Sequence, residues 1–302
     1  MKPKIAVLLS AYNGLAYLSP QVESIVSQQQ VEITLFVSVD FSNDGTQLWF
    51  EELANSIHVV RVLSYGQRFG SAALNFYRLL RDVDFSDFDF IAFADQDDIW
   101  QLDKLQRHAQ LLRAHHADLV ASNVIAFWPD GRQKLINKSQ PQRQYDYLFE
   151  SCGPGCTFLM TPWLANEMKR LLLTLPETEC VEMHDWLTYA VCRANQRKVI
   201  IDDVPSVMYR QHQTNVVGAN SGLAAYRKRF GKIYNGWYRH QVLQLSKLLF
   251  DAYQINVYKK LYELLSAKSF ASRISLLPYA IQGRRKLSDR LVLLFSIMLF
   301  IF

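Results

Sequence analysis

FIAFADQDD, residues 90–98, is the stretch from which the architecture is read. Five apolar residues, Phe90–Ala94, run without interruption and meet Asp95, Gln96, Asp97 and Asp98 at once. A short unbroken apolar run suits a strand covered on both faces, which is the habit of parallel sheets. Side chains alternate along a strand, so Asp95 and Asp97 leave its end on one side. Hard divalent cations want carboxylate oxygens, and magnesium or manganese keeps positions open for substrate phosphates. Three neighbouring carboxylates repel one another unless a cation lies among them. A solvated acidic turn capping the next helix has the same composition. Spacing alone does not separate the two; the apolar strand before the turn favours the metal.

Outward from that stretch, the first half of the chain alternates strand and helix signals. Ile5–Leu9 reads as a buried strand, and Ser19-Pro20 as the N-cap and first residue of a helix carrying Val22, Ile25 and Val26. Ile33–Val39 is a strand, Thr46–Ala54 a helix, Ile57–Leu63 a strand and Ser71–Arg81 a helix. Repeated strand–helix units predict a doubly wound, mostly parallel α/β sheet, with ligands outside the carboxyl ends of the strands. Polar residues gather at those ends: Ser10-Ala11-Tyr12-Asn13 after the first strand, Asp40 to Thr46 after the second, Asp95 to Asp98 after the fourth. Asp40 could accept from a nucleobase or ribose, while Asp44-Gly45-Thr46 could equally be a turn and helix start.

The second half is less regular. Ala117–Phe127 reads as a strand with a Pro129-Asp130-Gly131 turn, Gly153–Met160 as a glycine-led strand, and Val199–Ile201 and Ser206–Arg210 as two short strands. Trp163–Leu173 and Asp185–Arg193 are helical, as is the chain from Leu223 onward. The Gly218–Gly222 cluster marks a boundary between a domain at 1–220 and a helical, basic region at 221–302. In His184-Asp185-Trp186 a carboxylate opens an amphipathic helix; it can serve as a general base or as a cap. Arg210 and His212, with Asn215 beyond, suit a diphosphate, or His212 a metal; such pairs are also common surface structure.

Composition narrows the classes. A chain of 302 residues, half of them hydrophobic, fits one large α/β domain with or without an appendage. It can bury roughly three quarters of its unfolded surface, and its aromatic content argues against disorder. The net charge of +5 concentrates in Tyr226–Lys232 and Gln282–Arg290. Such runs favour phosphates or anionic lipid, or form a solvated basic face. Cys152, Cys156, Cys180 and Cys192 have neither zinc-site spacing nor the density of a disulfide scaffold, and read as reduced core residues. The N-terminus lacks a signal-peptide layout, which predicts a cytoplasmic protein. Leu291–Phe302 is nearly all apolar yet short of the ~20 residues that span a bilayer. Behind basic residues it reads as an interfacial anchor on the cytoplasmic face of the inner membrane, or else as a buried helix or dimer contact.

Taken in order, ADQDDIW (94–100), HDW (184–186) and YRQHQTNVVG (209–218), together with the two loops near the N-terminus, resemble the inverting family-two glycosyltransferases of GT-A fold over about residues 4–218. Within that family the chain looks most like bacterial rhamnosyltransferases of surface-polysaccharide assembly. The resemblance implies a nucleotide site at Ser10, Ala11, Tyr12, Asn13 and Asp40, with Arg68, Asn75, Asp95 and Gln96 beside the donor. It implies metal ligation of manganese or magnesium by Asp97, with His212 near the diphosphate as a second ligand, and Asp185 as catalytic base. Gly153, Cys156, His184, Trp186 and Arg210 fall in the acceptor or diphosphate vicinity. The family motif Asp-Asp-Gly-Ser-x-Asp-Gly-Thr is altered: Val39 stands for its first aspartate and Phe41 for its glycine, while Asp40, Ser42, Asp44, Gly45 and Thr46 remain.

The implied partners are a dTDP- or UDP-sugar, a glycan or lipid-linked glycan acceptor and a membrane surface, with no nucleic acid. Another hexose or an N-acetylhexosamine is the alternative cargo. A nucleotidyltransferase would need a glycine- and lysine- or arginine-rich first loop, and Ser-Ala-Tyr-Asn-Gly is not one. An inactive scaffold would not need Asp95, Asp97 and Asp185. The basic patches lie away from any nucleic-acid motif.

Overall fold

A computed structural model describes residues 1–212, 231, 234–267, 269–299 and 302. The Gly218–Gly222 boundary, Asn215 and nearly all of Tyr226–Lys232 lie outside the described residues.

Strand β1 (Lys4–Ala11) is central and buried from Ile5 onward. It pairs in parallel with β2 (Glu32–Val39) and β4 (Phe90–Asp95), placing Ser10 opposite both Ser38 and Asp95. β3 (Val60–Val62) completes the parallel half beside β2. Alternation along β1 feeds two cores. Ile5, Val7 and Leu9 pack with Leu18, Val22, Phe50 and Leu105 on one face; Ala6 and Leu8 pack with Phe76, Leu80 and Leu119 on the other. The full order is β3-β2-β1-β4-β8-β6-β9-β5, with β7 beside β6. Here β5 is Ile99–Trp100, β6 Leu119–Phe127, β7 Gln133–Ile136, β8 Leu159–Met160 and β9 Val199–Arg210. β8 is antiparallel to β4 and β6, so the second half of the sheet is mixed.

Helices α1 (Leu15–Val26), α2 (Thr46–Ser56), α3 (Ala72–Asp82) and α4 (Lys104–His115) flank the sheet, followed by α5 (Pro162–Thr174) and α6 (His184–Ala194). Then come α7 (Trp237–Tyr253), α8 (Asn256–Ser266), α9 (Phe270–Gln282) and α10 (Leu287–Met298). Val242, Leu245, Tyr258, Leu276, Leu293 and Ile297 of these last four share one core with α3, α5 and α6.

Several expectations change. The first helix begins at Leu15, and Pro20 lies inside it. Its leading N–H groups are met from another loop: Gly14 donates to Thr46 Oγ1 (2.9 Å) and Leu15 to Asp44 Oδ2 (3.0 Å). No Ser19 cap is needed when the orphan donors of a helix end are satisfied this way. Gly153–Met160 is a strand only at Leu159–Met160, because Pro154 leads into a tight turn over Gly155–Thr157. The two short strands from Val199 are one, with an irregularity in its pairing to β6 near Ser122. Cys152, Cys156 and Cys192 are core residues, whereas Cys180 is exposed.

Candidate active site

The loops after β1 and β2 brace each other with side-chain to backbone bonds. Asn13, in the left-handed region at φ 45°, donates its N–H to Ser42 Oγ (3.0 Å), and its Oδ1 accepts from Asn43 (2.9 Å). Tyr12 is half exposed at the mouth. Gln96 grips its backbone from both sides, accepting from the N–H at 2.7 Å and donating to the carbonyl at 2.9 Å. That pair ties the β1 loop to the acidic stretch. Ser10 and Ala11 are buried beneath it and supply backbone more than surface.

Asp40 is buried and its carboxylate accepts three backbone N–H groups, from Phe41 (2.7 Å), Phe69 (2.8 Å) and Gly70 (2.8 Å). It therefore holds the 68–70 segment against the β2 end, and most of its accepting capacity is spent there. Arg68 is exposed at the start of that segment. Asn75 does not face the opening. It is buried on α3 and straps the two strand ends, donating to the Ala11 (3.3 Å) and Ser38 (3.0 Å) carbonyls and accepting from Ser38 Oγ. Its effect on a donor passes through the loops it fixes.

The acidic stretch divides into two layers. Asp97 Oδ2 lies 2.6 Å from His212 Nε2, both side chains keeping 13 % of their surface open. His212 stacks on Tyr17 at 4.8 Å, which sets the ring. Arg210 donates its backbone N–H to Asp98 Oδ1 (3.0 Å) and its Nε to the Asp97 carbonyl (2.7 Å). Behind this layer Asp95, Asp98 and Cys156 bring ligand atoms within 4.8 Å of one another. Cys156 is a poor partner for a hard cation, and burial pushes its thiol up, so it stays protonated. The more open layer offers the Asp97 carboxylate, a hard donor of the kind manganese or magnesium takes, with the His212 nitrogen 2.6 Å from it. Burial, then the Asp97 and Asp185 charges, push Asp95 up to about 7; burial and the charges of Asp97 and Asp95 raise Asp98 as well.

Lys104 is a site residue that the sequence pattern hides. It is fully buried at the start of α4, donates to the Cys156 carbonyl (2.7 Å) and lies 3.1 Å from the Trp100 ring centre. Burial lowers it to about 7, against the pull of the Asp98 and Asp95 charges. A lysine opening an amphipathic helix ordinarily reads as surface, so no local signal marks it.

The turn 152–157 joins the acidic stretch to α6. Cys156 touches the Asp95–Asp98 pair, while Gly155 lies against His184 and Asp185. A Cβ on Gly155 would fall 2.5 Å from His184 Nε2 and 3.4 Å from Asp185 Cβ. Gly153 is also closely packed, on Ala121 and Thr157. His184 stacks on Phe76 at 3.9 Å and meets Phe93 edge-on. Burial depresses it to about 3, so it is a neutral wedge beneath the turn. Asp185 is buried and accepts from the Trp186 N–H at 2.7 Å. Burial raises it to about 6, opposed by that bond, by Lys138 and by the Ser151 hydroxyl. Trp186 points away, donating Nε1 to the Tyr147 carbonyl. The Asp97 and Asp185 charges both raise Asp95, and the 152–157 turn runs between the acidic stretch and the start of α6.

A parallel half-sheet with a strand-end acidic motif, followed by a mixed half carrying a helix-opening aspartate, defines a nucleotide-sugar glycosyltransferase of GT-A fold. Residues 6–163 match the family described as "Glycosyl transferase family 2". The chain is 36% identical over 296 residues to the dTDP-rhamnosyl transferase RfbG of Shigella flexneri, covering 97% of this chain and 100% of that one. The chain belongs to glycosyltransferase family 2. Solved structures agree in fold. S. aureus TarS 1–349 in complex with UDP-GlcNAc superposes with TM-score 0.56 at 14% identity over 98% of this chain and 92% of that one. The mannosyltransferase PcManGT of Pyrobaculum calidifontis, in complex with GDP-Man and Mn2+, gives 0.54 at 15% identity over 100% and 81%.

Proposed function

We propose that the protein transfers rhamnose from dTDP-rhamnose to a glycan, most plainly one on a lipid carrier, with inversion at the anomeric carbon. One arrangement carries the mechanism: in the 152–157 turn Cys156 lies against the Asp95–Asp98 pair and Gly155 against Asp185, so the acidic stretch and the carboxylate that opens α6 share one neighbour. The near-full-length likeness to a dTDP-rhamnosyl transferase supports the choice of donor. In this reading Asp97 and His212 hold manganese or magnesium, which stabilises charge on the departing diphosphate when bound. Tyr12, Asn13 and the loops that Asp40 and Asn75 fix receive the nucleoside, with Arg68 at their rim. Arg210 braces the backbone of Asp97 and the carboxylate of Asp98.

Asp185 takes the proton from the acceptor hydroxyl as that oxygen attacks the anomeric carbon. The new C–O bond forms as the bond to the diphosphate oxygen breaks, and its electron pair leaves with the nucleotide. A carboxylate raised to about 6 by burial is ionised at neutral pH and still basic enough to accept a proton in the transition state. Gly153 and Cys156 shape the acceptor wall, and His184 supports it. In this reading residues 1–220 are the transferase domain and 221–302 a C-terminal region whose described helices, α7 to α10, pack against it. No helix among the described residues is long and apolar enough to cross a membrane. A peripheral position on the cytoplasmic face of the inner membrane would bring the site to a lipid-linked acceptor.

The test is a donor panel. Nucleoside diphosphate release is followed with dTDP-rhamnose, UDP-glucose, UDP-galactose and UDP-N-acetylhexosamines, in manganese, with and without membrane extract. Acceptor-dependent turnover on dTDP-rhamnose is expected. Preference for a UDP-sugar overturns the donor, and turnover undiminished in Asp185→Asn overturns the base.

A further inference from the structure

The basic run at Gln282–Arg290 does not simply face outward. Helices α9 and α10 meet at the turn Gly283-Arg284-Arg285-Lys286, and its two arginines point inward. Arg285, nearly fully buried, donates its N–H to Glu150 Oε1 (2.6 Å) and Nη2 to the Ser151 carbonyl (2.7 Å). Its Nη1 lies 3.6 Å from Asp146. Arg284 donates to the Phe149 carbonyl (2.9 Å), which also accepts from the Tyr238 hydroxyl. Only glycine fits at 283, where a Cβ would fall 2.6 Å from the Phe149 ring. The gripped segment, 146–151, leads directly into the 152–157 turn, and the Ser151 hydroxyl donates to the Gly153 carbonyl within it (2.8 Å).

The opposite faces of the same helices are bare. Leu287, Leu291, Phe295 and Leu299 recur every four residues along α10 and its C-terminal end, and are 46–65% exposed; Phe270 (68%) and Ile274 (53%) continue the surface on α9. Leu293 and Ile297 of α10 are core. The apolar C-terminal segment is therefore both a packed helix and an exposed face. Asp289 is the sole acid on the two helices, and it pairs with Arg284. From Trp237 to Phe302 the sequence carries ten lysines and arginines against three acids, and eight remain once the inward Arg284 and Arg285 are set aside. Large exposed apolar faces mark an interaction surface. One set in a strongly basic region complements an anionic bilayer, whose headgroups attract the cations while the interface takes the apolar side chains.

We propose that α9 and α10 form a two-helix wedge that lies in the surface of an anionic bilayer, and that the Arg284–Arg285 turn ties this wedge to the wall of the acceptor site. Docking then orders the 146–157 segment where a lipid-borne glycan arrives. The second clause rests on the reading of that segment as the acceptor wall; the first does not. Arg285 is a positioning residue, acting through Ser151.

The test uses the full chain without nucleotide or metal, so a failure of the transferase reading leaves its outcome untouched. Co-sedimentation compares vesicles of phosphatidylcholine with vesicles of phosphatidylcholine and phosphatidylglycerol at a ratio of about 3:1. Partition at least roughly tenfold stronger onto the anionic vesicles is expected, reduced at least roughly tenfold by Leu291→Ser with Phe295→Ser. These substitutions are on the surface and spare the core. Hydrogen exchange then follows residues 146–157. Amides there should slow on vesicle binding in the wild type and in Arg285→Lys, and not in Arg285→Met, while α9 and α10 slow in all three. Absence of partition, or partition indifferent to the double substitution, overturns the wedge. So does a dimer in sedimentation that the same substitution splits. Slowing confined to α9 and α10 in the wild type overturns the link to the acceptor wall.

Discussion

Replacing Asp185 with asparagine should make the protein more stable and far less active, and the two effects have one origin. Burial lifts this carboxyl from an ordinary 3.8 to about 6. Because the folded-state value is raised, the group favours folding fully only below the unfolded value. That contribution is lost as pH climbs through about 6. The difference between 3.8 and about 6 corresponds to about 3 kcal/mol at a pH of about 8. Asparagine keeps the shape and an acceptor for the Trp186 N–H, and stays neutral at every pH. At that pH and without metal it should therefore gain up to about 3 kcal/mol, or about 5 °C in Tm for a chain of this length. The gain should shrink between about pH 6 and about pH 4 and vanish below. Acceptor-dependent kcat should fall by roughly 10²–10⁴. Wild-type kcat/KM for acceptor should rise about tenfold per pH step below about 6 and level above it. Calorimetry across that pH range beside a coupled assay for released nucleotide reads both. Equal melting temperatures at the alkaline end would show that Asp185 is not held in a desolvated state, and full activity would remove it from the chemistry.

Four further outcomes rest on the same contacts. Gly155→Ala drives a Cβ into His184, which Phe76 and Phe93 hold in place; about 1–3 kcal/mol should be lost in urea unfolding, with transfer impaired more than donor binding. Asp146→Asn strips charge from a buried site shared by Arg193, Arg285 and the Tyr189 hydroxyl, and should cost about 3–5 kcal/mol by the same measurement. Asn75→Ala frees the Ala11 and Ser38 carbonyls; it should cost about 1–3 kcal/mol and raise donor KM with little change in kcat. Asp97→Asn should shift the manganese needed for half-maximal activity upward at least roughly tenfold, and chelation with EDTA should abolish wild-type turnover.

How far the sequence could be read depended on where each polar group finds its partner. The fold is visible in β1 and β4 because a strand covered on both faces must be apolar throughout, and the residues just past such a strand must be turn or site. The acidic stretch is visible for the same local reason; the aspartate opening α6 is not, because its local pattern suits a helix cap as well as a base and its role enters through the family resemblance. Ser19-Pro20 misleads because the donors at the start of α1 are satisfied by Asp44 and Thr46, across the sheet opening. Gly153–Met160 misleads because a tight turn replaces most of the apparent strand, wedged on His184, a residue remote in sequence. Arg284 and Arg285 read as outward charge because Asp146, Glu150 and the Phe149 carbonyl, which hold them inside, lie some 135 residues earlier. Lys104 is the same case, a lysine carried inward to a carbonyl 52 residues away. At the start of α1, at Arg284 and Arg285 and at Lys104 the polar groups are satisfied by residues remote in sequence, and several of these groups lie within contact distance of the proposed acceptor wall. A local pattern can mark residues that carry a charge into the cleft. The contacts that set where that charge stands are tertiary, and no local pattern carries them.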